Sequence, residues 1–174
     1  KNTEPNGETD IFIESNKDHE KEPAMKSREI AQKVVEELDK NIYDFVVLNL
    51  ANADILAHTG NYEATVKGIE AVDSALGLIY NAAIEQRGGI LIVTADHGNA
   101  ESLVYRGSGE AETRHDDSPV PFYLVGRQYQ TTKTPEHLAL ETADVPGILG
   151  DIAPTILELM GIAPAPEMTG RSLL

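Results

Sequence analysis

Ile90-Leu-Ile-Val-Thr94-Ala-Asp96-His97-Gly-Asn-Ala-Glu101 is a short apolar and β-branched run that ends on a carboxylate and an imidazole. Without alternation, such a run suits a strand covered on both faces, as in a parallel sheet. Upstream, Tyr43-Asp-Phe-Val-Val-Leu-Asn-Leu50 reads the same way and leads into Asn49-Leu-Ala-Asn-Ala-Asp54-Ile-Leu-Ala-His58-Thr-Gly-Asn61, again a carboxylate and an imidazole after a strand. Between the two runs, Val66, Ile69, Leu76, Ile79 and Ala83 recur at helical spacing from the Gly60-Asn61 start to the Gly88-Gly89 stop.

Strand, helix, strand implies two parallel neighbours or near neighbours joined by a right-handed crossover, with their C-terminal edges together. Ligands of open α/β sheets bind beyond that edge, so Asp54, His58, Asp96 and His97 fall on one side of the sheet. His115 precedes its apolar segment, Val120-Pro-Phe-Tyr-Leu-Val125. If it joins the others, that segment starts at the ligand edge and runs antiparallel to the Ile90 strand.

The chain of 174 residues, 41% hydrophobic, is long enough for one domain with a sizeable core. No apolar stretch approaches the roughly 20 residues that cross a bilayer, and the N-terminus lacks an apolar signal core, which places the expectation in a soluble, cytoplasmic compartment. Cysteine is absent, so a metal would rest on Asp, Glu and His. A formal net charge of -15, from 14 basic and 29 acidic residues, argues against nucleic acid and anionic membranes as partners. It also repels an anionic substrate at long range, so bound cations or basic residues from another segment must reverse the sign locally.

Residues 1–26 read as a polar, acidic entry segment with one strand-like stretch, Thr9-Asp-Ile-Phe-Ile13, and residues 27–174 as the folded body. The chain starts without Met and in loop-like composition, as a processed product or a piece of a longer chain would. Ser27 is placed to cap a helix with Ile30, Val34, Val35 and Leu38 on one face, ending near Lys40. Val104 to Glu110 reads as a hairpin or exposed loop. Asp151 can cap a helix that runs through Glu158 to Met160 and stops at Gly161, and the Pro-rich tail from Ala163 to Ser172 follows as coil.

Asp54 and His58, four residues apart, share one face of a helical turn. Two ligands hold an ion weakly, whereas a third, with a second ion beside it, makes the double site that clamps the attacking and leaving oxygens of phosphoryl transfer. Carboxylate with neutral imidazole suits Mn, Zn or Fe, and with fewer histidines Mg. A single Asp or His in a loop is ordinarily a turn residue or a solvated side chain. Asp96 could merely cap a backbone amide before Gly98-Asn99, and His115 alone reads as solvated; what distinguishes the set is its pairing at strand ends. His19 and His137 read as solvated, and Asp73 as a buried hydrogen-bonding residue on the apolar face of the long helix.

These runs, with Glu70-Ala-Val-Asp73 and the Pro119-Val-Pro-Phe122 that follows a histidine, resemble the cofactor-independent (2,3-bisphosphoglycerate-independent) phosphoglycerate mutases of the alkaline phosphatase superfamily. The resemblance covers roughly residues 7 to 174, but only the C-terminal part of such an enzyme. Asp151-Ile-Ala-Pro-Thr-Ile-Leu-Glu-Leu-Met-Gly161 and Gly170-Arg-Ser-Leu173 fit it less selectively, since sulfatases end similarly. It implies a three-layer α/β/α sandwich, mostly parallel, with the 120–125 strand antiparallel.

Carried over residue by residue, it also implies that Asp54, His58 and His115 bind one divalent ion and Asp96 and His97 a second, with Mn favoured over Mg, Zn or Co. The family reaction interconverts 3-phosphoglycerate and 2-phosphoglycerate, in glycolysis and gluconeogenesis, through a phosphoserine. The nucleophilic serine and one more aspartate ligand lie near the start of such enzymes, followed by a basic inserted domain that holds the substrate. None of these is present here: Ser15 and Ser27 are the only serines before Asp54, and neither follows an acidic residue in a strand-to-helix turn. Thr113-Arg-His-Asp-Asp-Ser118 is also more charged than the family's flanks.

The resemblance therefore implies a chain inactive by itself, partnered by the N-terminal portion of the same enzyme and monomeric when complete. The rival readings are another enzyme of the superfamily, such as a phosphopentomutase or phosphodiesterase, and a non-catalytic metal-binding fragment.

Overall fold

A computed structural model of the chain describes residues 2–3, 7–105 and 110–174. It divides into two compact units, Lys1–Gln130 and Thr131–Leu174.

In the first unit, strands β1 (Asn2–Thr3) and β2 (Thr9–Asp10) form a small antiparallel pair at the entry. Helix α1 (Ser27–Asp39) and the long helix α3 (Tyr62–Tyr80) lie against each other, joined through the extended residues 43–50 and the short helix α2 (Asn52–Ala57). Ala31 and Val34 of α1 meet Ala75 and Ile79 of α3, with Leu38, Val46, Leu48, Leu50 and Leu91 packed around them. Strand β3 (Leu91–Thr94) pairs with β4 (Phe122–Val125), Leu91 opposite Val125 and Thr94 opposite Phe122. That pairing is antiparallel, as the position of His115 required, and it puts the start of β4 beside the end of β3.

Residues 43–50 depart from the expected doubly covered strand. Val46, Leu48 and Leu50 turn inward, but Phe45 is 52% and Val47 81% exposed. The helices α1 and α3 cover one face only, and no parallel ladder forms among the described residues.

Several side chains sit elsewhere than their spacing indicates. Ser27 does not cap α1; it is the first helical residue, buried, and its hydroxyl donates to Asn52 Oδ1 at 2.7 Å. Asn52 in turn donates from Nδ2 to the Pro23 carbonyl at 2.8 Å, which fastens α2 to the entry of α1. Asn61 does cap α3, accepting from the Ala64 amide at 3.1 Å. The core face of α3 is Ala64, Thr65, Gly68, Ala75 and Ile79, small residues but for the last, while Val66, Ile69 and Asp73 are exposed. Close approach of α1 and α2 selects small side chains over large ones. His19 is half-buried, with Nδ1 unpartnered among the described residues.

The long helix ends in a widened π turn, Asn81–Glu85, before Gly88 at φ +65°. Arg87 bridges from there to the end of α1, donating to the Leu38 carbonyl at 3.3 Å and the Ala82 carbonyl at 2.6 Å and pairing with Asp39. Val104 and Ala111 pair as the arms of the expected hairpin, whose tip lies outside the described residues.

The second unit holds helix α4 (Pro135–Ala143), on which His137 is exposed as expected, and helix α5 (Ile152–Leu159). Asp151 precedes α5 without capping it. Its buried carboxylate instead accepts from the amides of Ile148 at 2.9 Å and Arg171 at 2.8 Å, tying down the C-terminal tail. Gly161 at φ +69° ends the helix as expected.

Two outcomes follow from these contacts. A Cβ at Gly68 would run into Leu56 Cδ1 and crowd the Pro23 carbonyl oxygen. Gly68→Ala should therefore cost about 1–3 kcal/mol by overpacking, read as a lower urea midpoint at unchanged slope. The two amide donors hold the Asp151 carboxyl below the usual carboxylate range. Its stabilisation is then complete above about pH 4 and is lost as the pH falls through the lowered value. Asp151→Ala should flatten that acid-side loss and speed hydrogen exchange at the Ile148 and Arg171 amides.

Candidate metal centre

Three pieces of chain meet at the ends of β3 and β4. Helix α2 supplies Asp54 and, at its C-terminal cap, His58; the turn after β3 supplies Asp96, His97 and Asn99; the segment before β4 supplies His115. The helical turn puts Asp54 and His58 on one face, and Asp54 Oδ1 lies 3.3 Å from His58 Nε2. The same oxygen is 3.2 Å from His115 Nε2, and the two imidazole Nε2 atoms are 2.9 Å apart. His97 Nε2 stands further off, 4.0 Å from Asp54 Oδ1, with its ring stacked on His115 at a centroid distance of 3.7 Å. Asp96 Oδ1 lies 3.6 Å from His97 Nε2 and its side chain is 89% exposed.

All five residues singled out from the sequence thus gather in one place. Ligand atoms about 2.1 Å from a shared ion stand about 3–3.4 Å from one another. Asp54 Oδ1, His58 Nε2 and His115 Nε2 form a triangle with sides of 3.3, 3.2 and 2.9 Å, and that donor set fits a divalent ion. Asp54, His97 and His115 form a looser group, with ligand atoms within 4.8 Å of one another.

The backbone around these residues determines how the rings present themselves. His58 Nδ1 lies 2.5 Å from the Thr113 carbonyl oxygen. A carbonyl only accepts, so Nδ1 carries a proton, and in the neutral ring the Nε2 lone pair then faces Asp54 and His115. Thr113 is held in turn by Glu112, whose Oε1 accepts from the amides of Thr113 and Arg114 and from Arg114 Nε, each at 3.1 Å. The Arg114 guanidinium, with the Tyr105 hydroxyl, holds the Glu112 carboxyl down to about 2, so this turn keeps its charge through mild acid. The charges of this loop therefore have a structural use. On the other side, the Asp116 amide donates to the Gly98 carbonyl at 3.0 Å, drawing the His115 segment against the turn after β3.

In the sequence Asn99 reads only as part of a turn. It is 3% exposed, and its Nδ2 donates to Asp54 Oδ1 at 2.8 Å. Gly98-Asn99 carries a turn signal that conceals such a role, since only the fold brings α2 to it. A Cβ at Gly98 would meet Asp116 Oδ1 and Glu101 Oε1, so a larger residue there would displace both carboxylates.

The tautomer can be checked directly. Long-range proton–nitrogen spectra of the metal-free chain should show His58 protonated at Nδ1; a proton on Nε2 with none on Nδ1 would contradict this geometry.

Comparison with known proteins agrees with the chemistry of this donor set. The family described as Metalloenzyme superfamily matches residues 2–164. A 2,3-bisphosphoglycerate-independent phosphoglycerate mutase of Clostridioides difficile (strain 630) is 40% identical over 174 residues, covering 98% of this chain and 32% of that protein. The enzyme of the same name from Shewanella halifaxensis (strain HAW-EB4) is 41% identical over 170 residues, covering 97% of this chain and 30% of that one. Among solved structures, Leishmania mexicana phosphoglycerate mutase at low cobalt concentration superposes with a TM-score of 0.78 at 28% identity, over 97% of this chain and 32% of that chain. The chain spans about a third of the length of the curated relatives it matches. Its α/β fold is the one expected, and it belongs to the Metalloenzyme superfamily.

Proposed function

We propose that this member of the Metalloenzyme superfamily is the metal-holding, C-terminal part of a cofactor-independent phosphoglycerate mutase. The reaction is the interconversion of 3-phosphoglycerate and 2-phosphoglycerate in the cytoplasm, through a phosphoserine whose serine belongs to a segment outside this chain. The observation that carries the reading is the triangle of Asp54 Oδ1, His58 Nε2 and His115 Nε2, assembled from one sequence run and a histidine far beyond it in the chain.

Asp54, His58 and His115 are the ligands of the first divalent ion, and Asp96 and His97 contribute to the second, with manganese favoured. Bound there, the two ions supply Lewis acidity that activates a serine hydroxyl and offsets the charge of the phosphoryl group in flight. The chain's own residues prepare the place. Thr113 fixes the His58 ring by accepting from Nδ1, Glu112 braces Thr113, and the Gly98–Asp116 backbone contact keeps His97 and His115 at one edge. The carboxylates reduce the charge of the ions they hold. With a net charge of -15 the chain itself offers a phosphoglycerate little attraction, so basic residues of the cap segment hold the substrate. The full-length enzyme acts as a monomer, without 2,3-bisphosphoglycerate.

Calorimetric titration of the 174-residue chain with Mn2+ should show binding that Asp54→Ala or His58→Ala weakens by more than the ~10–100-fold typical of changes behind the ligands. A coupled assay with 3-phosphoglycerate should show no turnover by this chain alone. Unchanged binding in both variants would refute the site, and turnover would refute the assignment of the nucleophile to another segment.

A further inference from the structure

We propose that Asn99 is a positioning residue for the first ion, acting through Asp54. This rests on the assignment of Asp54, His58 and His115 as its ligands. Asn99 contacts Asp54 with the amide nitrogen, the only end of the side chain that can donate to a carboxylate, at 2.8 Å. The oxygen it touches is Oδ1, the same atom that faces His58, His115 and His97. A carboxylate oxygen has two lone-pair directions in its plane. With one occupied by Nδ2–H, rotation of the carboxylate is opposed, and the other direction stays available among the imidazoles.

The second observation is the far end of the same amide. Asn99 Oδ1 is sealed from solvent and has no hydrogen-bond partner among the described residues, although the side chain is 97% buried. A buried acceptor without a donor is unfavourable, and a side chain chosen for stability alone would place its oxygen where a donor waits. The backbone around it is held independently, since the Asn99 amide donates to Glu101 Oε2 at 2.9 Å and the Asn99 carbonyl accepts from Ser102 at 3.2 Å. The turn therefore does not depend on the side-chain amide for its shape. The amide is explained by what its nitrogen does to Asp54.

This arrangement also joins the two motifs. Asn99 lies two residues beyond His97, so the turn that presents one imidazole also clamps the carboxylate presented by α2.

The test compares the parent chain with Asn99→Leu, which keeps the volume and removes the donor, and with His58→Ala as the control for the site. Mn2+ affinity in Asn99→Leu should fall ~10–100-fold, the visible absorption of the Co2+-loaded chain should change shape, and the thermal midpoint of the metal-free chain should hold or rise. An affinity within about twofold of the parent, while His58→Ala abolishes binding, would overturn the role of Asn99 and leave the site intact. Binding as tight in His58→Ala as in the parent would instead overturn the ligand assignment and this inference with it. If Asn99→Leu does not fold, the parent chain still decides. On titration with diamagnetic Zn2+ the Asn99 side-chain NH2 resonances should shift and saturate together with the His58 ring signals, and resonances that stay put would overturn the proposal.

Discussion

One carboxylate oxygen organises this end of the molecule. Asp54 Oδ1 faces three imidazole nitrogens at 3.3, 3.2 and 4.0 Å and accepts a hydrogen bond from a buried amide. Each partner arrives on a different piece of chain, so the turn after β3, the start of β4 and helix α2 must all be in register for the contacts to exist. A misplacement of one ångström in any of them would spoil the triangle, since donor atoms around an ion tolerate only a few tenths. The close-packed features nearby act to that end. Gly68 lets α2 lie against α3, Gly98 lets two carboxylates crowd the turn, and Ser27 and Asn52 pin α2 to the entry of α1.

The ligand edge was legible because two rules of α/β architecture constrain it. Residues just after parallel-type strands share an edge, and a histidine just before a strand can join them only if that strand runs the other way. Both statements need only the order of apolar and polar residues. The antiparallel pairing of β3 with β4 then follows. What the pattern could not convey is which side of each element would be covered. Val66 and Ile69 match the helical period as well as Ala75 and Ile79 do, yet the close approach of the neighbouring helices gave the core to Ala64, Gly68 and Ala75. Hydrophobicity ranks residues by transfer from water, and at a tight crossing volume decides instead.

The polar residues were harder still. Asn99, Glu112 and Thr113 govern the site through contacts that span 45, 2 and 55 residues of sequence, and two of these are invisible to any local pattern. Asp151 misled for a related reason. An acidic residue ahead of a helix commonly caps it, but here a tail returning 20 residues later offered its amide to the carboxylate. Long-range partners outcompete local ones wherever the chain folds back on itself.

The half-covered segment after α1 has a consequence for the behaviour of the molecule in solution. Phe45, Val46, Val47 and Leu48 carry no charge, favour extended backbone, and enter no ladder among the described residues. Such a stretch is a template on which a second copy can add a strand. Opposing this is the mutual repulsion of molecules that each carry fifteen excess negative charges. That repulsion weakens as added salt shortens the Debye length to about 3 Å at 1 M. Concentrated salt, ordinarily a mild condition for an acidic protein, therefore removes the repulsion that opposes pairing along this segment.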